Sequence, residues 1–177
     1  MIQFTELSDS GFNHFAKELF ESSFPDDERP SYATVKERKQ SNFHFLVATL
    51  DNDEPFGILT YWTFEKFAYI EHFAIDPEYR NKGLGKACIL NFMLQHPDQV
   101  VLEIERPNTE QAEHRMEFYT DLGFTQNPQD YTQPSYYKNE LAVPMIIMSK
   151  YELDDGEFEE VRDLIYKEVY HYTGNIN

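Results

Sequence analysis

Apolar and polar residues alternate with the period of a β-strand at the start of the chain and through its middle. The first such stretch is 2–7 (IQFTEL). Three more stretches lie at 43–50, 56–64 and 68–75. Polar turns at 51–54 (DNDE) and 65–66 (EK) separate these three, a pattern that predicts hairpins. The middle of the chain is therefore predicted to form an antiparallel meander.

Apolar residues three and four positions apart predict five helices. Asp9 or Ser10 is the expected cap of the first helix, and Asn108 is the expected cap of the fourth. Gly123 should end the fourth helix, because glycine readily adopts the left-handed conformation. The remaining predicted elements are helices at 31–39, 83–95 and 155–172, the last capped by Asp155, and strands at 100–105, from Phe124, and at 144–150. Together they predict a mixed α/β chain.

Aromatic residues supply much of the core material in this chain of 177 residues, which has 12 Tyr and 15 Phe. No apolar run approaches the roughly 20 residues of a membrane span. The N-terminal sequence lacks the basic start and apolar centre of a secretory signal. The single cysteine, Cys88, excludes an internal disulfide and a multi-cysteine zinc site, and no metal is expected. The expected location is therefore the cytoplasm.

Negative charge dominates the composition: 32 acidic residues outnumber 15 Lys and Arg, for a net charge of −17. Such a surface repels the phosphates of nucleic acids and anionic lipids, so neither a nucleic acid nor a membrane is an expected partner. It attracts cationic ligands such as amines. Because an acidic surface can also serve solubility alone, charge by itself does not identify a substrate.

A basic, glycine-containing turn between a predicted strand and a predicted helix is the most informative stretch. Its glycines let backbone N–H groups approach an anion, and the helix start adds unpaired amides and the positive end of the helix dipole. The candidate anion-binding residues are Arg80, Asn81, Lys82, Gly83, Leu84, Gly85 and Lys86. The stretch lacks the pattern of a Walker loop, and antiparallel strands before it disfavour a dinucleotide fingerprint. An ordinary basic loop at a helix start is the alternative.

Three segments in this order resemble the GCN5-related N-acetyltransferase (GNAT) family. Arg80, Gly83 and Gly85 match the family signature Gln/Arg-x-x-Gly-x-Gly/Ala. Residues 69–77 resemble the family's fourth strand, and residues 108–124 resemble its second cofactor motif. The resemblance covers about residues 1–150. It implies a single domain over 1–177, with a mixed, mostly antiparallel central sheet flanked by helices and an added C-terminal helix at about 155–172.

The resemblance also implies acetyl-CoA as the co-substrate, with its pyrophosphate in the turn at 80–86. Tyr119 corresponds to the general acid beside the sulfur and would also contact the cofactor. The other implied cofactor contacts are the strand backbone at Phe73, Ala74 and Ile75, and Asn108. Helical spacing alone would make Tyr119 an ordinary core residue.

Three carboxylates are candidates for binding the acceptor amine or taking its proton. Glu71 is expected on the same side of its strand as Phe73, with His72 on the opposite side as a structural histidine. Glu103 and Glu105 are expected to share one face of the next strand, where the resemblance implies that the two strands splay to admit the thioester. Each carboxylate could instead belong to a solvated strand face.

Contacts to the acceptor are expected in two regions. The first joins the early helices, which in the family flank the acceptor cleft, and the second is the long connection before the last strand, which often covers it. Candidate residues are Asp26, Asp27, Glu28, Tyr136 and Tyr137. Aromatic faces beside carboxylates suit a cationic amine, although a variable surface loop is the alternative.

The sequence therefore predicts an enzyme that transfers the acetyl group of acetyl-CoA to a primary amine by direct attack in a ternary complex. The acceptor is a small molecule or a peptide: polyamines, amino acids, antibiotics, peptide N-termini and lysines all stay open. A homodimer is a candidate assembly. The alternative function is a non-catalytic acyl-CoA-binding module that senses or regulates.

Overall fold

A computed structural model of the chain describes residues 2–26, 29–38, 40–96, 98–137, 141–172 and 174. These residues fall into two compact units, which comprise 1–98 and 99–177. Single-domain organisation over 1–177 stays a prediction. Within the described residues, the strand pairings inside each unit are antiparallel.

The first unit contains a four-stranded antiparallel meander. Its strands are β1 (Gln3–Glu6), β2 (Phe43–Thr49), β3 (Pro55–Thr63) and β4 (Phe67–Ile75). Each strand pairs with the next in the sequence. The turn between β2 and β3 closes through the Leu50 N–H, which donates to the Glu54 carbonyl over 3.0 Å. The predicted meander and its turns are confirmed, because strict alternation and polar turn residues act locally.

Within its described residues, the first unit also contains four helices and one 3₁₀ turn. They are α1 (Leu7–Ser10), α2 (Asn13–Ser23), α3 (Tyr32–Lys36), the 3₁₀ turn Pro77–Tyr79 and α4 (Leu84–Gln95). The expected cap of the first long helix at Asp9 or Ser10 is wrong, because these residues lie inside α1. Gly11 has a φ of 71° and ends that short helix, so α2 starts only after Phe12.

Apolar side chains pack on both faces of the meander. Phe20 of α2 and Tyr32 of α3 pack with Val47 of β2 in one cluster. The next β2 residue, Ala48, points the other way and packs with Cys88 of α4. Burial raises the pKa of the Cys88 thiol to about 12. The thiol therefore stays protonated and acts as a small apolar group rather than a nucleophile.

Strand β4 contains a β-bulge at Glu71. Thr60 of β3 lies opposite His72, but the next β3 residue, Tyr61, lies opposite Ile70. Glu71, between Ile70 and His72, is therefore the extra residue of the bulge. Such a bulge bends the strand and redirects the side chains around it.

The bulge changes the side of the strand on which these residues lie. The Trp62 indole N–H donates to Glu71, and Thr60 pairs with His72. Trp62 and Thr60 share a face of β3 because they are two residues apart. Phe73 instead packs in the cluster that contains Cys88. The expectation that Glu71 shares a side with Phe73, opposite to His72, is therefore wrong.

The second unit is built around one central strand. Its strands are β5 (Gln99–Glu105), β6 (Thr125–Gln126), β7 (Tyr131–Gln133) and β8 (Val143–Ser149). Strand β8 pairs with β5, β6 and β7. Its helices are α5 (Glu110–Asp121) and α6 (Asp155–Leu164), and α6 continues into a π-helical turn, Ile165–Val169.

Two predicted helix caps in this unit are wrong by one residue. The Thr109 hydroxyl, not Asn108, accepts the hydrogen bond from the Ala112 N–H at 3.2 Å. Asp154, not Asp155, caps α6 and forms a capping box with Glu157. In both cases an adjacent residue could also serve as a cap, and only the backbone conformation decides which one does.

The fold is mixed α/β with mostly antiparallel strands, flanking helices and an added C-terminal helix, as predicted. Among the residues described, no helix has the length and apolar character that a membrane crossing requires.

His72 links α2 to the meander and makes stability sensitive to acid. Its ring lies 4.9 Å and 4.8 Å from the rings of Phe20 and Phe24, and its Nδ1 is 3.0 Å from the Thr60 hydroxyl. Burial lowers the pKa of His72 from 6.5 to about 4. The unfolded chain therefore binds more protons than the folded chain between these pH values, so the stabilising contribution is complete above pH 6.5 and is lost as the pH falls toward 4.

We expect His72→Gln to flatten the decrease in melting temperature between pH 6.5 and pH 4. The matched control is His14→Gln, because the His14 side chain is 86% exposed. Thermal melts across this range check the difference in slope. Equal slopes for wild type and His72→Gln would contradict a buried neutral His72.

Candidate functional site

The end of β4 leads into α4 through a turn with two left-handed residues. Asn81 has a φ of 59° and Gly83 a φ of 76°. Gly83 is the N-cap of α4, where no side chain accepts a hydrogen bond from the first-turn amides and no acidic residue stands in the first turn. Those amides, including that of Gly85, are therefore available to an external acceptor. An anion at this helix start would also gain from the helix dipole.

The three cationic side chains of this turn differ in what they contact. The Arg80 Nε–H donates to the Ile75 carbonyl over 2.9 Å and ties the turn to the end of β4. Lys82 Nζ lies 5.0 Å from the centre of the Tyr79 ring. Lys86 lies exposed in the first turn of α4. Only Asp76 and the 3₁₀ turn Pro77–Tyr79 thus separate the predicted anion-binding residues 80–86 from the strand end that contains Phe73, Ala74 and Ile75.

Glu71 is held in a buried ion pair. Arg38 Nη1 lies 2.5 Å from its Oε2, the Trp62 indole nitrogen lies 2.8 Å from the same oxygen, and the side chain has no exposed area. Burial alone raises the pKa of Glu71, but Arg38 and the Trp62 hydrogen bond outweigh it and leave the pKa below its ordinary value. A buried, paired carboxylate of low basicity favours a structural role over the predicted role as a base.

The backbone of Glu71 is accessible although its side chain is not. The residue as a whole is partly exposed, so the exposed area belongs to main-chain atoms. Glu71 is the bulged residue of β4, on the strand that leads toward the turn at 80–86. Backbone donors in such a position can polarise a carbonyl group.

Tyr119 lies on α5, where its ring packs against two other aromatic rings. Its ring packs against Phe118 and Phe124 at centroid distances of 5.1 Å and 5.6 Å, and the residue is 8% exposed. Burial raises the pKa of the Tyr119 phenol to about 12, with Arg115 acting in the opposite direction. In the part of the chain that the structure describes, the phenol makes no hydrogen bond. Tyr119 is therefore a protonated donor throughout the neutral range.

Glu105 forms an ion pair with Arg115, which lies on α5 one helical turn before Tyr119. Both side chains are 40% exposed. The second carboxylate oxygen of Glu105, Oε2, is buried and accepts no hydrogen bond within the described residues. An unoccupied acceptor atom of this kind is suited to receive a proton from a bound ligand.

Glu103 lies two residues earlier on β5 and belongs to a different network. Its carboxylate accepts hydrogen bonds from the Tyr131 hydroxyl, the Gln133 amide and the Tyr170 hydroxyl. Tyr136 packs on Tyr170 with a centroid distance of 4.8 Å. The second unit thus brings Glu103 together with Tyr136, whereas the next residue, Tyr137, lies exposed.

The other predicted site residues are less well placed or lie outside the description. The Asp26 side chain is 94% exposed, and its Oδ1 lies 2.5 Å from Arg29 Nη2. Asp27 and Glu28 lie outside the described residues. Asn108 is exposed and does not cap α5.

Sequence reasoning missed four residues that the structure connects to these candidates. Arg115 could have been found from its position one helical turn before Tyr119. The others have no local signal, since they meet their carboxylates only through folding: Arg38, Gln133 and Tyr170.

Comparisons with known proteins agree with this arrangement. A family model described as Acetyltransferase (GNAT) family matches residues 12–124, which is more than half of the chain. A Bacteroides thetaiotaomicron structure assigned to the GNAT family is 35% identical, with a TM-score of 0.89 over 98% of this chain and 99% of that chain. Comparison with curated proteins gave no match.

Two more distant structures share the fold. A spermidine N-acetyltransferase SpeG chimera from Vibrio cholerae and hSSAT is 13% identical, with a TM-score of 0.62 over 84% of this chain and 93% of that chain. Arabidopsis thaliana Naa50, in complex with the bisubstrate analogue CoA-Ac-MVNAL, is 19% identical, with a TM-score of 0.61 over 85% of this chain and 98% of that chain.

We expect coenzyme A to raise the melting temperature of the protein and Gly83→Val to abolish this increase. A valine Cβ at a left-handed position strains the turn and stands where an anion would approach the amides. Ligand at about 100 Kd should stabilise the wild type by about 2.7 kcal/mol.

The matched control is Gly11→Val, because Gly11 has a similar φ of 71° at the end of α1. Both variants should lose basal stability through backbone strain, but Gly11→Val should keep the response to coenzyme A. A wild type whose melting temperature does not change at saturating coenzyme A would reject the anion-site assignment.

Proposed function

Because this chain belongs to the GNAT family of acetyltransferases, we propose that it transfers the acetyl group of acetyl-CoA to a primary amine by direct attack within a ternary complex. The observation that carries the proposal is the phenol of Tyr119, which stays protonated and has no hydrogen-bond partner among the described residues. The Tyr119 hydroxyl is not among the buried unpaired polar atoms of the described residues, so it keeps accessible area through which it can donate to a bound ligand.

The first unit would hold the co-substrate. The uncapped amides at the start of α4 and the exposed Lys86 suit its pyrophosphate. The backbone of residues 73–75 suits its pantetheine arm, and the accessible backbone of Glu71 suits the carbonyl oxygen of the acetyl group. When bound, acetyl-CoA supplies an activated acetyl group. This chain binds it, orients it and withdraws electron density from its carbonyl.

The second unit would move the protons. The amine nitrogen attacks the acetyl carbon, a C–N bond forms, and the C–S bond breaks. Tyr119 then supplies the proton that the departing sulfur takes up. The proton that the amine loses goes to a carboxylate, directly or through water. Glu103 and Glu105 are the candidates, because both are partly exposed on the same face of β5, whereas the Glu71 side chain is fully buried.

The net charge of −17 supports a cationic acceptor. Two structural neighbours are a spermidine N-acetyltransferase chimera and Naa50 in complex with the bisubstrate analogue CoA-Ac-MVNAL. These neighbours are under 20% identical and share only the fold with this chain.

An acceptor panel tests the proposed function. We would measure thiol release from acetyl-CoA with spermidine, free lysine, an aminoglycoside and a peptide with a free N-terminus. The proposal expects turnover with at least one of these amines and none with an N-blocked peptide. Coenzyme A binding without turnover on any amine would favour the non-catalytic sensor module instead.

We expect Tyr119→Phe to lower kcat by about 10²–10⁴, the usual contribution of one general acid. Coenzyme A affinity and melting temperature should change little, because the ring remains and the lost hydroxyl makes no hydrogen bond in the described chain. Tyr151→Phe is the matched control, since Tyr151 is 55% exposed and should leave kcat unchanged. Near-normal kcat in Tyr119→Phe would overturn the general-acid assignment and leave the cofactor assignment intact.

A further inference from the structure

The C-terminal helix ends in a π-helical turn, Ile165–Val169, and Tyr170 follows it. The Tyr170 N–H donates to the Ile165 carbonyl, five residues earlier, over 3.3 Å. The wider turn adds a residue and rotates the residues after it. Val169 and Tyr170 are both buried, at 2% and 8% exposure.

The side chain of Tyr170 reaches the Glu103 carboxylate. The Tyr170 hydroxyl oxygen lies 2.7 Å from Glu103 Oε2, and the Gln133 Nε2 lies 2.9 Å from the same oxygen. Gln133 Nε2 is also 2.5 Å from the Tyr170 hydroxyl oxygen. The Tyr131 hydroxyl donates to Oε1. Donors from β7 and from the C-terminal helix thus hold both oxygens of a residue on β5.

These contacts fix a partly exposed carboxylate among aromatic rings. Hydrogen bonds from several directions define the orientation of the Glu103 carboxylate. Tyr136, whose ring packs on Tyr170, adds a partly exposed aromatic residue next to Tyr170. A fixed carboxylate next to tyrosine faces matches the chemistry of an alkylammonium group.

We propose that Tyr170 is a positioning residue, whose hydroxyl orients Glu103 to receive the ammonium group of the acceptor. The inference rests on the proposed function, since it identifies which carboxylate takes the amine and what holds it in place. It gives the C-terminal helix a role in acceptor recognition in addition to packing.

A second tyrosine of the same turn provides a matched control. The Tyr166 hydroxyl oxygen lies 2.5 Å from the Thr132 carbonyl oxygen, so it anchors the turn to β7 through the backbone and makes no hydrogen bond to Glu103. Tyr166→Phe and Tyr170→Phe each remove one hydroxyl from the same turn and keep the ring. A purely structural role of Tyr170 predicts equal effects of the two changes.

The experiment measures amine binding and turnover in wild type, Tyr170→Phe, Tyr166→Phe, Glu103→Gln and the double variant Tyr170→Phe/Glu103→Gln. Calorimetry of the coenzyme A complex gives the Kd of each amine, with spermidine as the first probe. Initial rates with acetyl-CoA give kcat and KM for the amines that bind.

We expect Tyr170→Phe to raise the amine Kd and KM about tenfold, the factor that corresponds to one hydrogen bond to a charged group. Tyr166→Phe should leave both constants unchanged, and coenzyme A affinity should be the same in all variants. In the Glu103→Gln background Tyr170→Phe should have no further effect, because Tyr170 acts through Glu103.

The outcomes separate this inference from the proposed function. Amine binding that depends on Tyr170 and Glu103 but leads to no turnover would support the inference and reject acetyl transfer. Turnover with an unchanged amine Kd and KM in Tyr170→Phe would support acetyl transfer and reject the inference. Equal losses in Tyr166→Phe and Tyr170→Phe, additive effects in the double variant, or no binding of any panel amine to the wild type would each overturn the inference.

Discussion

The ion pair between Arg38 and Glu71 determines much of the first unit. Glu71 is the bulged residue of β4, and its side chain turns inward to a guanidinium that stacks on Phe43 and Trp62 at 4.8 Å and 5.0 Å from the ring centres. A buried charge without its partner costs about 3–5 kcal/mol, so the pair holds the bulge, β3 and the segment after α3 in one arrangement. Because the Glu71 side chain is buried, the exposed area of this residue belongs to its backbone, on the strand that leads toward the start of α4.

The two units provide different kinds of chemistry. The first offers main-chain groups: amides at the start of α4 and the exposed backbone of the β4 bulge. The second offers side chains that donate and accept protons, with Tyr119, Glu103 and Glu105 on α5 and β5. This division follows from the elements themselves, because a helix start leaves its first N–H groups without intrahelical partners, whereas regular elements use theirs internally and contribute side chains.

The three candidate carboxylates show which properties of the site the sequence predicts and which it does not. All three candidates were identified from their strands, but the sequence could not separate their roles. Arg38 lies 33 residues from Glu71 and neutralises it, Arg115 pairs with Glu105, and Tyr170 lies 67 residues from Glu103 and hydrogen-bonds to it. The basicity of a carboxylate and its ability to contact a ligand depend on such partners. The partners come together only when the chain folds.

Local signals explain what the sequence determined by itself. Alternation and turn residues defined the meander, and the glycines of 80–86 indicated the turn before α4 that is the candidate anion site, because each signal depends on neighbours within a few residues. The side on which Glu71 and His72 lie, the caps at Thr109 and Asp154, and the inward position of Tyr170 were decided by tertiary structure. One extra residue in a strand or a helical turn rotates everything after it, and whether that residue is accommodated depends on packing against distant elements rather than on the local sequence.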